Sequence, residues 1–214
     1  MTEKNFILAS GSVPRRQLLE QIGYTPKLVD PADIDETTGK YETPTAYVKR
    51  MAVEKASAVA ARHPGETILA CDTVVVSGNK VIHKSRTPEE QTEVMKQLSG
   101  KAHRVISAVC VIGSDGRRAL RCVPTRVLMK KLTPAEIQAY VDGKEWVGCC
   151  GYKIEGELAG YVKKIIGSYS GVVGLPLFET KNLLNGAGVK SVLIRLFMKR
   201  KTLLSAWRCW KTAG

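Results

Sequence analysis

The sequence predicts a mixed α/β (α+β) fold, a mixed twisted sheet flanked by helices. Three observations predict it: β-rich runs over residues 67–76, 103–112 and 119–129; helix starts of the form Thr-Pro at Thr43, Thr87 and Thr133; and a composition of 44% hydrophobic and 25% charged residues over 214 positions, enough for a substantial core. No internal repeat or low-complexity linker divides the chain. One domain over residues 1–190 is expected, followed by a basic extension over 191–214.

Residues 6–9 form a short apolar strand, and Ser10-Gly11-Ser12 leads from it into a helix over 15–21 that Gly23 closes. Thr43-Pro44 opens a helix running to about Arg62, with Tyr47, Val48, Met51, Ala52, Val59 and Ala60 on one stripe. The strand over 67–76 turns at Ser77-Gly78-Asn79 into a partner over 80–82. Thr87-Pro88-Glu89-Glu90 and Thr133-Pro134-Ala135-Glu136 both read as capping boxes, starting helices that end near Leu98 and Asp142. Between those helices, the strands over 103–112 and 119–129 join through Ser114-Asp115-Gly116.

The formal charge of +13 raises the question of a nucleic-acid partner, but its distribution weighs against one. Eight of those charges follow Glu179, after which there is no acidic residue, so the body is only mildly basic and suits small anionic substrates. No run is long and apolar enough for a membrane span, and residues 1–5 lack the features of a signal peptide, so a cytoplasmic setting is expected. The six cysteines follow no metal-ligand or disulfide spacing and read as reduced thiols.

Several residues stand out chemically. Ser10, Gly11 and Ser12 precede a helix start, where free backbone N–H groups and the dipole favour an anion, and Arg15 and Arg16 can grip phosphate oxygens. An ordinary cap with solvated arginines fits the same residues. Asp72 interrupts the run "ETILACDTVVV"; an acid in such a strand serves as a metal ligand or general base, or as a strand-end hydrogen-bond acceptor. Lys55 falls on the inward stripe of its helix and calls for an anion unless it snorkels out. Asp30, Asp33, Asp35 and Glu36 cluster in a loop of a kind that can hold Mg²⁺ beside phosphates or be a plain solvated turn. Lys84, Lys153 and Glu155 add weaker signals near glycines.

Taken in order, "ILASGSVPRRQLL", "DIDET", "YVKRMAVEKASAVA", "CDTVVV", "LSGKAHRVISAV", "LTPAEIQAYV", "GYKIEG" and "GSYSGVVGLPL" resemble the Maf family of nucleoside triphosphate pyrophosphatases, over residues 6–189. The resemblance implies a fold akin to that of inosine triphosphate pyrophosphatases, usually dimeric. It also implies hydrolysis of a nucleoside triphosphate to the monophosphate and pyrophosphate with a divalent metal cation, Mg²⁺ or Mn²⁺. On that basis Asp72 orients or deprotonates the attacking water and shares the metal with Glu36. Arg15, Lys55 and Lys84 neutralise the triphosphate, while Ser10, Ser12, Arg16 and Glu155 contact the substrate.

Two departures from the family pattern affect these expectations. The signature Ser-Pro-Arg-Arg is replaced by Ser12-Val13-Pro14-Arg15-Arg16, so Pro14 takes the place of the first arginine and Arg16 becomes a candidate to compensate. Gly148 and Glu155 replace a lysine and a glutamine of the members that prefer uridine and thymidine nucleotides. The ending Lys153-x-Glu155-Gly156 resembles the branch acting on 7-methyl-GTP, whereas "CDTVV" resembles the pyrimidine branch. The tail "LIRLFMKRKTLLSAWRCWKTAG" lies outside the match and reads as an interfacial helix, a nucleic-acid grip, or an extension packed on the body. The leading function is thus a house-cleaning pyrophosphatase, and the competing one a catalytically impaired nucleotide- or nucleic-acid-binding protein.

Overall fold

A computed structural model describes residues 5–192. The first strand, β1 (Phe6–Leu8), is fully buried and is followed by α1 (Val13–Gln21). That helix starts two residues earlier than the sequence predicts, because Ser12 caps it and Pro14 fits its first turn, where no intrahelical N–H bond is needed. The chain returns through a two-residue strand, β2 (Leu28–Val29), parallel to β1. An irregular segment then leads to α2 (Pro44–Arg62), capped by the Thr43 hydroxyl.

The central strand β3 (Thr67–Ser77) runs parallel to β1, turns into β4 (Lys80–Ile82), and pairs antiparallel with the later strand β5 (Ala102–Ile112). Between β4 and β5 lies α3 (Pro88–Leu98). β6 (Arg118–Met129) forms a hairpin with β5, and α4 (Pro134–Asp142) follows. Of the two expected capping boxes, only that at Thr133 is complete. At Thr87 the hydroxyl accepts from the backbone of Glu90, but the Glu90 carboxylate turns one residue upstream to the N–H of Arg86, 2.7 Å away.

The last third holds elements with little local signature: a 3-10 turn over Glu157–Tyr161, β7 (Val162–Ile166) beside β6, α5 (Tyr169–Val173) and α6 (Leu177–Gly186). The seven strands form one mixed sheet in the order β2-β1-β3-β5-β6-β7, with β4 on the same edge of β3 as β1. The predicted fold class therefore holds.

Helix α2 covers one face, its Val48, Met51, Ala52, Ala56 and Val59 meeting Ile7, Ile68, Ala70, Ile106 and Ala108. On the other face, α1 and α6 pack over Phe6, Leu8, Leu69 and Val109, and α3 and α4 over Val105, Val127 and Met129. Alternation along β3 and β5 supplies both layers. No helix among the described residues is long and apolar enough to cross a membrane. Cys71, Cys110, Cys122, Cys149 and Cys150 are free thiols, as expected, and Cys209 and the tail readings over 193–214 lie outside the described residues.

One feature of the topology positions the site. β1 pairs with β3 only through Leu69, and β4 begins only opposite Val75. Between those points one edge of β3 has no neighbouring strand, and Asp72 and Thr73 lie in the gap. A cavity of about 1120 Å³ opens there.

Candidate active site

Asp72 sits in the gap with its side chain on the α2 face, where it is 8% exposed. Lys55, equally buried on the inward stripe of α2, places Nζ 2.6 Å from Asp72 Oδ1 and 2.7 Å from Glu36 Oε1. One ammonium thus bridges two carboxylates, and it engages only one oxygen of Asp72. Burial alone would lower the Lys55 pKa, but the charges and hydrogen bonds of Asp72 and Glu36 reverse this and raise it. Glu36 shows the complementary balance: burial pushes its carboxyl up, while Lys55, with help from Lys84 and Arg15, holds it below the ordinary value.

Of the acidic cluster in the preceding loop, only Glu36 reaches Lys55. Asp30 is drawn to the far end of α2 by Arg62 and His63, 2.9 and 2.7 Å away, and Asp35 accepts from the hydroxyl and backbone of Thr37. Glu36 itself is held through its carbonyl, which accepts from the Tyr47 hydroxyl at 2.8 Å. Burial and the nearby charges of Asp72 and Glu36 push the Tyr47 pKa up to about 12, so it remains a donor.

The opposite wall is the start of α1. Ser12 caps the helix, and Ser10 Oγ accepts from the Ser12 N–H at 3.3 Å and from an Arg15 terminal nitrogen at 3.0 Å. Arg15 Nε donates to the carbonyl of Gly174 at 2.9 Å, and its other terminal nitrogen lies 3.5 Å from Thr73 Oγ1. Gly174 adopts φ +136°, a conformation that favours glycine, and its carbonyl also accepts from Cys71 and Thr73. Thr73 is in turn 2.8 Å from Ser107, which donates to Gly171. Arg15 is therefore oriented by groups from β3, β5 and the α5 turn. Arg16 does not line the cavity; its half-exposed side chain lies 3.9 Å from Glu20 on the solvent side of α1. Helical geometry explains this, since a residue next in sequence points about 100° away.

Lys84 lines the far side of the cavity, together with Arg86, Lys153, Glu145 and Glu155. Its backbone forms an isolated antiparallel bridge with Cys150. Tyr152 closes the wall there, its hydroxyl 2.6 Å from Nε2 of the buried His103, whose Nδ1 has no partner among the described residues. Burial depresses the His103 pKa to about 4.

The structure thus brings Ser10, Ser12, Arg15, Glu36, Lys55, Asp72, Lys84 and Glu155 to one cavity and leaves Arg16 outside. Sequence reasoning missed Thr73, Ser107 and Gly174, whose roles come from partners 34 to 159 positions away. For Thr73, a polar residue next to Asp72 in an apolar strand was the available signal.

A divalent cation fits the donor set. Among the described residues no group of three or more His, Cys, Asp or Glu side chains could enclose a metal. Two hard carboxylate donors beside the cationic side chains of Arg15 and Lys84 suit a divalent cation that keeps several of its waters.

The family model described as "Maf-like protein" matches residues 5–187. A dTTP/UTP pyrophosphatase of Caulobacter vibrioides is 47% identical over 185 residues, covering 86% of this chain and 96% of that protein. One of the same description from Paramagnetospirillum magneticum is 48% identical, covering 85% and 96% respectively. Among solved structures, the Staphylococcus aureus Ham1 protein aligns over 59% of this chain and 72% of its own, with 16% identity and a TM-score of 0.43.

Proposed function

The chain belongs to the Maf-like family, and on that premise we propose that it is a nucleoside triphosphate pyrophosphatase, cleaving dTTP and UTP to the monophosphate and pyrophosphate. The description carried by its relatives at 47% and 48% identity supports the pyrimidine substrates. The observation that carries the chemistry is the placement of Asp72 at the gap in the β3 edge, bridged by Lys55 to Glu36.

In this reading the triphosphate lies against the start of α1. The helix dipole, the Ser12 region and Arg15 meet its negative charge on one side, and Lys84 meets it on the other. Asp72, with one oxygen held by Lys55, uses its remaining acceptor capacity to orient the water that attacks the α-phosphorus and to take up its proton. Glu36 and Asp72 would hold the Mg²⁺ or Mn²⁺, which when bound supplies charge neutralisation on the phosphate oxygens. Glu155 lines the cavity on the same side as Lys153 and would face the nucleoside. Catalysis belongs to residues 1–190, and the working unit is a homodimer.

The test is pyrophosphate release from dTTP, UTP and 7-methyl-GTP with Mg²⁺ or Mn²⁺, for wild type and Asp72→Asn. Hydrolysis of the two pyrimidine nucleotides should dominate, and the substitution should lower kcat by about 10²- to 10⁴-fold, the usual contribution of a positioned acid–base group. If wild type releases no pyrophosphate from any of them, the enzymatic reading fails and a nucleotide-binding role takes its place.

A further inference from the structure

The far side of the cavity is built from two segments distant in sequence: residues 83–86 after β4, which carry Lys84, and residues 149–155, which carry Cys150, Tyr152, Lys153 and Glu155. Beyond the single backbone bridge of Lys84 and Cys150, what joins them is a side chain from outside the cavity. Gln91, in the first turns of α3, is 1% exposed. Its Oε1 accepts from the Ser85 hydroxyl at 2.8 Å, and its Nε2 donates to the Gly151 carbonyl at 2.8 Å. Each contact is adjacent in sequence to a member of the backbone bridge: Ser85 follows Lys84, and Gly151 follows Cys150. Gly151 itself has φ +76° and packs against Val75, so a side chain at this position would be strained.

We propose that Gln91 is a positioning residue that fixes Lys84 and the 149–155 segment in register across the cavity. An amide is suited to this place because it accepts from a hydroxyl at one end and donates to a carbonyl at the other. A carboxylate would set an acceptor against the Gly151 carbonyl, and an apolar side chain would leave the buried Gly151 carbonyl and the half-buried Ser85 hydroxyl without this partner. Lys84 makes no side-chain hydrogen bond or ion pair among the described residues, so its position is that of its backbone. Movement of the 83–86 segment would carry the ammonium away from the charge it is to neutralise. This inference rests on the hydrolytic reading above and adds the residue that holds its far cation in place.

The test combines Gln91→Leu with Ser85→Ala, which removes one of the two bonds and spares the other. Two quantities are measured on the intact protein: kcat and KM for dTTP, and the rate at which N-ethylmaleimide modifies Cys149 and Cys150, mapped by mass spectrometry. Gln91→Leu should lower kcat by about 10- to 100-fold, as expected for misplacement of a catalytic group by roughly 1 Å, with a smaller change in KM. Labelling should accelerate by about tenfold or more as the lip opens locally. Ser85→Ala should shift both quantities the same way by less, and it decides the matter if Gln91→Leu does not fold. Folded variants with kcat within about twofold of wild type overturn the proposal, whatever happens to their melting temperature. Wild type that releases no pyrophosphate sinks the hydrolytic reading, and the labelling rates then decide by themselves whether Gln91 holds the lip.

Discussion

Replacing Lys55 by methionine removes the ammonium that bridges Asp72 and Glu36 while keeping a flexible apolar chain of similar reach. Asp72 is 8% exposed, so its charge is left largely desolvated and uncompensated. Breaking a buried pair from one side costs about 3–5 kcal/mol, and the opening of the cavity at Asp72 places this case near the lower end, at about 3 kcal/mol. Glu36, with its side chain 51% exposed, adds little, because solvent screens it.

The pH dependence follows from the two resolved shifts. The Lys55 pKa is raised in the folded protein, so its contribution is fully present below the unfolded value of 10.5 and is lost only as pH rises through the folded value. Glu36 is lowered, so its contribution is present above 4.5 and is lost as pH falls through its folded value. The deficit of Lys55→Met should therefore be flat from about pH 6 to 9 and narrow only slightly as pH falls below 4.5, because the screened Glu36 carries a small share of it. Urea unfolding at pH 7.5 and at pH 4, for wild type, Lys55→Met, Asp72→Asn and the double variant, measures it. Because Asp72→Asn removes the orphaned charge, the double variant should be more stable than the sum of the single effects by about 1–3 kcal/mol. A loss under about 1 kcal/mol for Lys55→Met, or strict additivity, would refute the view that this lysine compensates a buried charge.

Arg15→Ala should lower kcat/KM by about 100-fold, the scale of losing one preorganised donor to developing charge, whereas Arg16→Ala should stay within about twofold because its exposed pairing with Glu20 faces solvent. Steady-state kinetics on dTTP distinguishes the two, and equal losses would mean that the orientation of Arg15 by Gly174, Ser10 and Thr73 is irrelevant to binding. His103 stays neutral in the folded state down to about pH 4, against 6.5 when unfolded, so its burial favours folding above pH 6.5 and is progressively opposed below it. Between pH 7 and 5 this amounts to about 2 kcal/mol of lost stability, which His103→Gln should abolish; parallel urea midpoints for the two proteins across that range would contradict it.

Much of this protein is legible in its sequence because the signals are local. Thr43, Thr87 and Thr133 announce helices through contacts no more than three residues long, and the apolar stripe of α2 shows that Lys55 points inward. Asp72 declares itself by interrupting an apolar strand. Local signals have a short reach, however. β2 is two residues long, β7 lies at the sheet edge and α5 spans five residues, so none displays enough periodicity to be read, and each is stabilised by its neighbours. The capping pattern at Thr87 is satisfied differently because Arg86 offers Glu90 a competing donor.

What the sequence by itself determined is the kind of residue available for the chemistry: an acid in a buried strand, a lysine on an inward stripe, and hydroxyls and arginines before a helix. What only the tertiary structure decided is which of them meet. It selected Glu36 from four loop acids, turned Arg15 into the cavity and Arg16 out of it, and brought Thr73, Ser107, Gly174 and Gln91 into service through partners up to 159 positions away. The physical reason is that periodicity and capping act over a few residues, whereas the site depends on where β1 ends and β4 begins along β3. That offset is a matter of strand register, and register is set by the packing of the whole sheet.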